Sequence, residues 1–231
     1  MEGQAHVHEV IVVDDRGPNP RGCCRARNKG AAQACRSATH LYFTDDDCIL
    51  APGCLARLCS AGLWDSPYTG ATGGSCINMR EPRFYTKTWR YLVNPLQIDD
   101  KGEIWDLSEF WVEDDRWWPV DHLRGGNILI RKKAFQQVHG FSDDYGPGSL
   151  RGETDLCLKL RAAGFRLLFN PVARVLHYCG ARQLTAREKA YDQLWRRTWQ
   201  PKKFLGRPRI PGLAPIVEVG TRSSGSFGVE K

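Results

Sequence analysis

The stretch Leu41-Tyr42-Phe43-Thr44-Asp45-Asp46-Asp47 runs from an apolar segment directly into three adjacent carboxylates. Neighbouring like charges repel one another, and a bound cation relieves that repulsion. Magnesium and manganese are hard ions that take one or two carboxylate oxygens and leave the rest of their shell to water and phosphates. The triplet is therefore a candidate site for a metal-bound phosphate, with a solvated surface turn as the plain alternative.

On the N-terminal side, His8-Glu9-Val10-Ile11-Val12-Val13 is a short apolar, β-branched run that stops at Asp14-Asp15. Without alternation, such a run predicts a strand buried on both faces. Gly22 to Ser37 carries the small helix formers Ala26, Ala31, Ala32 and Ala34 and predicts a helix that packs closely on a sheet. Strand, helix and strand make a right-handed crossover, which would return the Leu41–Phe43 strand parallel to the first. Both acidic strand ends then emerge at one carboxyl edge, where open α/β sheets bind their ligands.

At 231 residues and 42% hydrophobic, the chain has material for one substantial core and a tail. Its net charge of +7 suits an anionic partner such as a nucleoside diphosphate or an acidic lipid surface. No helix-turn-helix, zinc-finger or RNA-binding aromatic motif points to nucleic acid. No apolar run approaches the ~18 residues of a membrane span, and no signal peptide precedes the first strand, so a cytoplasmic protein is expected. The nine cysteines include no C-x-x-C pair, and the vicinal Cys23-Cys24 does not make a tetrahedral zinc clasp. Cys35, Cys54, Cys59, Cys76 and Cys157 read as small buried hydrophobes in a reducing compartment.

Further along, Pro52 can start a short helix carrying Leu55, Leu58 and Cys59. Tyr68 to Met79 predicts a glycine-rich strand, whose glycines either let a ligand or another backbone come close or mark a bulge. Residues 80–120 hold Phe84, Tyr85, Trp89, Tyr91, Trp105, Phe110, Trp111, Trp117 and Trp118 among acids and arginines. Such aromatics can stack on sugar rings at an acceptor side or form a lid over the core. Gly125-Gly126-Asn127 leads into an Ile128–Ile130 strand and a helix from Arg131 to Val138. Glu153-Thr154-Asp155 opens a helix that Gly164 stops. A strand from Phe165 to Phe169, a turn at Asn170-Pro171 and a last strand ending at His177 complete a domain over 1–180. A basic amphipathic helix is expected within 181–204 and a disordered tail over 205–231. That helix places Tyr191, Leu194, Trp195 and Trp199 on one side. Arg187, Arg196, Arg197, Lys202 and Lys203 are available to anionic head groups, so a peripheral membrane contact and packing on the domain's own core are both open.

The ordered series Val12-Val13-Asp14-Asp15, Ala26-Arg27-Asn28-Lys29-Gly30, Phe43-Thr44-Asp45-Asp46-Asp47, Gly125-Gly126-Asn127 with Arg131, Gly140-Phe141-Ser142-Asp143, Glu153-Thr154-Asp155-Leu156 and Pro171-Val172-Ala173 through His177 resembles a family-2 inverting glycosyltransferase of the GT-A fold. The resemblance runs from about His8 to Tyr178. It implies a Rossmann-like α/β domain with a mostly parallel central sheet flanked by helices. It also implies a nucleotide-sugar donor, a glycan, lipid-linked or other hydroxyl acceptor, and Mn²⁺ or Mg²⁺ at a DxD motif. The strand and helix that usually precede the Val-Asp-Asp strand are not in this sequence, so either the sequence is truncated or the protein is a reduced variant whose nucleotide pocket lacks a wall.

By position, the resemblance assigns Asp14 and Asp15 to the nucleobase and Arg27 and Asn28 to the nucleotide's surroundings. Asp45, Asp46, Gly125, Gly126 and Asn127 go to the nucleotide-sugar. Asp47 would ligate the metal, with Asp45 beside it and His177 near the diphosphate or metal. Glu153 aligns with the base that deprotonates the acceptor. The family often shows Glu-Asp at this point, and here Gly152 stands in the first of the two positions. Asp155 is expected to cap the helix or order the loop. A relative that binds the donor or a glycan without turnover is the alternative reading.

Overall fold

Arg166–His177, expected as two strands around an Asn170-Pro171 turn, is one continuous strand in the interior of the sheet. The computed structural model describes residues 7–15, 22–60, 62–84, 95–99, 102–145, 150–178 and 186–199. In chain order these form helix α1 (Cys23–Gln33), strands β1 (His40–Phe43) and β2 (Cys48–Leu50), helix α2 (Cys54–Leu58), and strands β3 (Thr69–Asn78), β4 (Arg83–Phe84), β5 (Leu96–Ile98), β6 (Ile104–Asp106), β7 (Phe110–Trp111), β8 (Trp118–Val120) and β9 (Ile128–Arg131). Helices α3 (Lys132–Gln137) and α4 (Gly152–Ala162), strand β10 (Arg166–His177) and helix α5 (Ala186–Trp199) follow.

The main sheet runs β1-β9-β3-β10-β2, with β8 also paired to β10. Within this sheet, among the described residues, only β3 and β10 pair in parallel; β1–β9, β9–β3, β10–β2 and β10–β8 are antiparallel. The α/β class and flanking helices are as expected, but the sheet is mixed rather than mostly parallel. An unbroken apolar run specifies burial on both faces and carries no information on strand direction.

The expected first strand needs a larger correction. Residues 7–15 join no ladder among the described residues. Val10 and Val12 are 79% and 86% exposed, while Val13 approaches α1 at Gly30, where a Cβ would lie 3.4 Å from its Cγ2. One face of the run is covered, not two, so the crossover from this segment to β1 is not formed as a sheet unit.

The principal core joins Leu41 and Phe43 of β1, Ile128 and Ile130 of β9, Phe135 of α3, Phe141, and Leu156 and Leu160 of α4. The Phe43 ring meets that of Phe141 edge-on at 5.3 Å, an arrangement aromatic rings favour, and lies tilted 5.5 Å from that of Phe135. Cys54, Cys76 and Cys157 are buried, as small hydrophobes should be. Cys59 is exposed and Cys35 only half-buried; both lie just past the C-terminal ends of helices α2 and α1.

The glycines of β3 make room for other parts of the protein: Gly70 for the Phe165 side chain, Gly73 for that of Leu123, and Gly74 for backbone. Asn170 Oδ1 accepts the amides of Val172 at 3.0 Å and Ala173 at 3.2 Å, which folds a bulge into β10 without ending it. The bulge turns the Ala173 carbonyl onto β3, where a Cβ on Gly74 would lie 1.7 Å from its oxygen. Gly74→Ala is expected to lower stability by about 3 kcal/mol or more, since neither backbone can yield. Urea unfolding measures it, and an unchanged midpoint would contradict this strand packing.

Between β4 and β8, the aromatics mostly pack. Trp118 is buried, Trp117 rests on the second core with Leu129 and Val175, and the Arg174 guanidinium lies 4.4 Å over the Trp111 ring. Trp105 is 53% exposed. Tyr85, Trp89 and Tyr91 lie outside the described residues.

The stripe on α5 also faces the protein. Trp195 is fully buried against Ile98, Tyr145 and Leu158, with Tyr191 and Trp199 beside it. Arg196 is paired with Asp192 at 2.9 Å and Glu103 at 3.0 Å. Leu194 alone of the four expected apolar residues stays exposed, and Lys202, Lys203 and the Arg187 side chain lie outside what is described. An amphipathic stripe looks the same whether a membrane or a core covers it; here the core does. No described helix is long and apolar enough to cross a membrane.

Candidate metal and nucleotide site

The acidic triplet occupies the turn between β1 and β2, and the Cys48 amide donates to the Asp45 carbonyl at 3.2 Å to close it. β2 then pairs with the end of β10, in register Cys48↔His177. This brings His177 Nε2 to 3.1 Å from Asp47 Oδ1, and the Tyr178 amide to 2.9 Å from the Asp47 carbonyl. Asp45 accepts Arg27 Nη2 at 2.6 Å; the Arg27 side chain is 10% exposed. Asp46 points to solvent.

Burial works against the Arg27 charge. The fields of Asp45, Cys23 and Glu153 together outweigh it, and the guanidinium stays firmly protonated. Glu153, half-buried in the first turn of α4, thus lies within the electrostatic reach of the Arg27–Asp45 pair. Gly125 and Gly126 complete this wall. A Cβ on Gly125 would come within 2.5 Å of Arg27 Nη1, and one on Gly126 within 3.1 Å of Asp45 Oδ2. Absent side chains at both positions let the ion pair lie against the loop backbone.

Two of the residues expected beside the nucleotide bond the protein's own backbone. Asn127 is fully buried, its amide donating to the carbonyls of Ser75 and Ala173 at 3.1 and 2.8 Å and its oxygen accepting the Tyr42 hydroxyl at 3.0 Å. Asn28 clamps the backbone of Phe141 from both sides, donating to its carbonyl at 2.8 Å and accepting its amide at 3.0 Å. Both amides are spent on backbone groups that would otherwise be orphaned. Asp15 accepts the Gly22 amide at 2.6 Å and so holds the start of α1, while Asp14 is exposed.

Asp155 makes no helix cap. Its carboxylate collects Ser142 Oγ at 2.5 Å, Tyr145 Oη at 3.2 Å and Trp199 Nε1 at 2.9 Å, so it orders the loop before α4 and anchors α5.

One donor atom from each of Asp45, Asp47, Cys48 and His177 lies within 4.8 Å of the others. Two carboxylates suit Mn²⁺ or Mg²⁺, and the added imidazole favours the transition ion, Mn²⁺. The Cys48 thiol does not: its pKa is pushed up to about 11, first by burial and then by the fields of Asp45 and Asp47. For a hard ion the fit therefore rests on Asp45, Asp47 and His177.

Sequence reading missed the group beside this wall. Arg124, immediately before Gly125, bonds Asp106 at 2.7 Å and Glu109 at 2.6 Å. Burial alone would raise the Asp106 pKa, but Arg124, His122 and Ser108 bring it down to about 2. A lone arginine among scattered acids gives no sequence signal, because its partners come from another loop. His122 is buried beside the same pair, and burial holds its pKa below the ordinary 6.5. Such a group stays neutral in the fold and protonates more readily unfolded. Its contribution is complete above about pH 6.5 and is lost as pH falls further. The Tm is expected to drop between about pH 7 and pH 5.5, and to drop less in His122→Gln. Parallel losses in both proteins would contradict this.

No protein-family profile matches the chain. Over 91 residues it is 33% identical to rhamnosyltransferase WbbL of Escherichia coli (strain K12), a match covering 39% of this chain and 33% of that protein. The chain thus spans about a third of that relative's length. Among solved structures, GalNAc-T7 with UDP, GalNAc and Mn²⁺ superposes with a TM-score of 0.50 at 15% identity, covering 78% of this chain and 36% of that one. The fold is that of the GT-A glycosyltransferases. The mannosyltransferase PcManGT of Pyrobaculum calidifontis, in complex with GDP-Man and Mn²⁺, aligns at a TM-score of 0.43 and 16% identity over 70% of this chain and 38% of its own. Within this fold the β1–β2 turn, the glycine loop before β9 and the end of β10 build one acidic wall.

Proposed function

We propose that this chain is an inverting glycosyltransferase that moves a sugar from a nucleoside-diphosphate sugar to an acceptor hydroxyl. The observation that carries the reading is the meeting of Asp47 with His177 across the β2–β10 ladder, with the Arg27–Asp45 pair and Glu153 around the same turn. Asp47, Asp45 and His177 would hold Mn²⁺ or Mg²⁺, which when bound neutralises charge on the departing diphosphate. Arg27 keeps Asp45 oriented and limits the repulsion among the acids. Glu153 takes the proton of the acceptor hydroxyl as its oxygen attacks the anomeric carbon from the face opposite the leaving group.

A binder without turnover is the second reading, favoured by two observations. Residues 7–15 form no ladder, which leaves Asp14 on an exposed segment, and Gly152 supplies no acid beside Glu153. A thermal-shift screen of nucleotide-sugars with and without Mn²⁺, followed by an assay of nucleoside-diphosphate release with acceptors, separates the two. Stabilisation by one donor only with Mn²⁺, and release dependent on an acceptor, are expected. Binding without release under any acceptor would favour the binder, and no metal-dependent shift for any donor would contradict both.

A further inference from the structure

We propose that the acidic turn also binds zinc, with Cys48 as the ligand that selects it; the inference rests on the metal site read above. Cys48 and His177 oppose each other directly in the β2–β10 register, and directly opposed residues send their side chains to the same face of a sheet. Asp47 follows on that edge at 3.1 Å from His177 Nε2, and its carbonyl is tied to the strand end by the Tyr178 amide. With Asp45, the set is one thiol, one imidazole and two carboxylates, all donor atoms within 4.8 Å of one another. A four-coordinate zinc ion with bonds of roughly 2.0–2.3 Å holds its ligands roughly 3.5 Å apart. Closing these partly exposed side chains by about an ångström completes such a shell.

Sequence spacing did not suggest this, because cysteine zinc motifs are sought as pairs close along the chain. Here the thiol meets its partners across a ladder. Mg²⁺ and Mn²⁺ gain little from sulfur, whereas zinc stands higher in the affinity order and bonds thiolate well. As zinc binds, the S–H bond of Cys48 breaks, the sulfur lone pair forms the Zn–S bond and the proton passes to buffer. Zinc and the hard ion use the same carboxylates and therefore compete. A zinc ion whose four positions are filled by protein keeps none open for phosphate oxygens, so it would block the nucleotide.

Cobalt(II) added alone to the full chain tests this, because a thiolate-to-cobalt charge-transfer band reports sulfur ligation directly. The band is expected in the wild type, displaced by Zn²⁺, absent in Cys48→Ser and weakened in His177→Ala, which keeps every thiol. Competition titrations should show the ratio of Zn²⁺ to Mn²⁺ affinity falling at least about tenfold in Cys48→Ser. Circular dichroism checks folding, and Cys48→Ala replaces the serine variant if that one unfolds. An unchanged ratio, or a band that survives in Cys48→Ser, overturns the zinc assignment while leaving Mn²⁺-dependent nucleotide binding to be judged separately. A cobalt band lost with Cys48 in a chain that ignores Mn²⁺ would support zinc and count against the nucleotide reading.

Discussion

Glu153→Gln is expected to lower the rate of sugar transfer by roughly 10²–10⁴-fold, the usual contribution of a positioned base, while donor affinity changes by no more than about threefold. The amide keeps the size and hydrogen-bonding outline of the carboxylate but cannot accept the acceptor's proton. Glu153 suits the role because it lies half-buried in the first turn of α4, in the field of Arg27, with no helix cap to make. The neighbouring acid offers the control. Asp155 is buried and holds Ser142, Tyr145 and Trp199, so Asp155→Asn should reveal itself as a loss of stability rather than as a selective loss of turnover. Steady-state kinetics with a verified acceptor, alongside urea unfolding of both variants, separates the effects. Near-normal turnover in Glu153→Gln would assign the base elsewhere.

Asp47→Ala should weaken Mn²⁺-dependent binding of a nucleoside diphosphate by about a hundredfold or more. Two phosphates brought to a turn with three carboxylates are repelled unless a cation bridges them. Asp47 contributes the carboxylate that meets His177 across the ladder, so its loss removes one donor and releases a second. Asp46 lies in the same turn but points to solvent, and Asp46→Ala should change the affinity far less. Calorimetric titration in Mn²⁺ and in EDTA reads the metal-dependent part for each variant. Equal losses from Asp46 and Asp47 would reduce the effect to the summed charge of the turn.

Local signals were legible in the sequence where one period or one break dominates. The acidic turn after Phe43, the glycine entry to β9 and the helix opened by Glu153 all occur where composition changes abruptly. Strand direction was not legible, since β1 is equally apolar beside an antiparallel or a parallel neighbour. Asn170-Pro171 read as a turn because an asparagine that bonds its own backbone ends most strands; in β10 it makes a bulge. Asn28 and Asn127 read as ligand contacts because a polar residue in a motif looks the same whether it faces a cleft or a buried carbonyl. The stripe on α5 was ambiguous for the same reason. The site itself was half visible: its acids are contiguous, but the Cys48–His177 pairing and the Arg124 cluster exist only through the ladder and the loop that bring distant segments together.

If the acidic turn holds a cation for a diphosphate, nucleotide binding depends on that metal. Wild-type protein titrated with a panel of nucleoside diphosphates should bind at least one of them in Mn²⁺ and lose that binding on addition of EDTA, with affinity restored by fresh Mn²⁺. Equal affinity in Mn²⁺ and in EDTA would contradict the account.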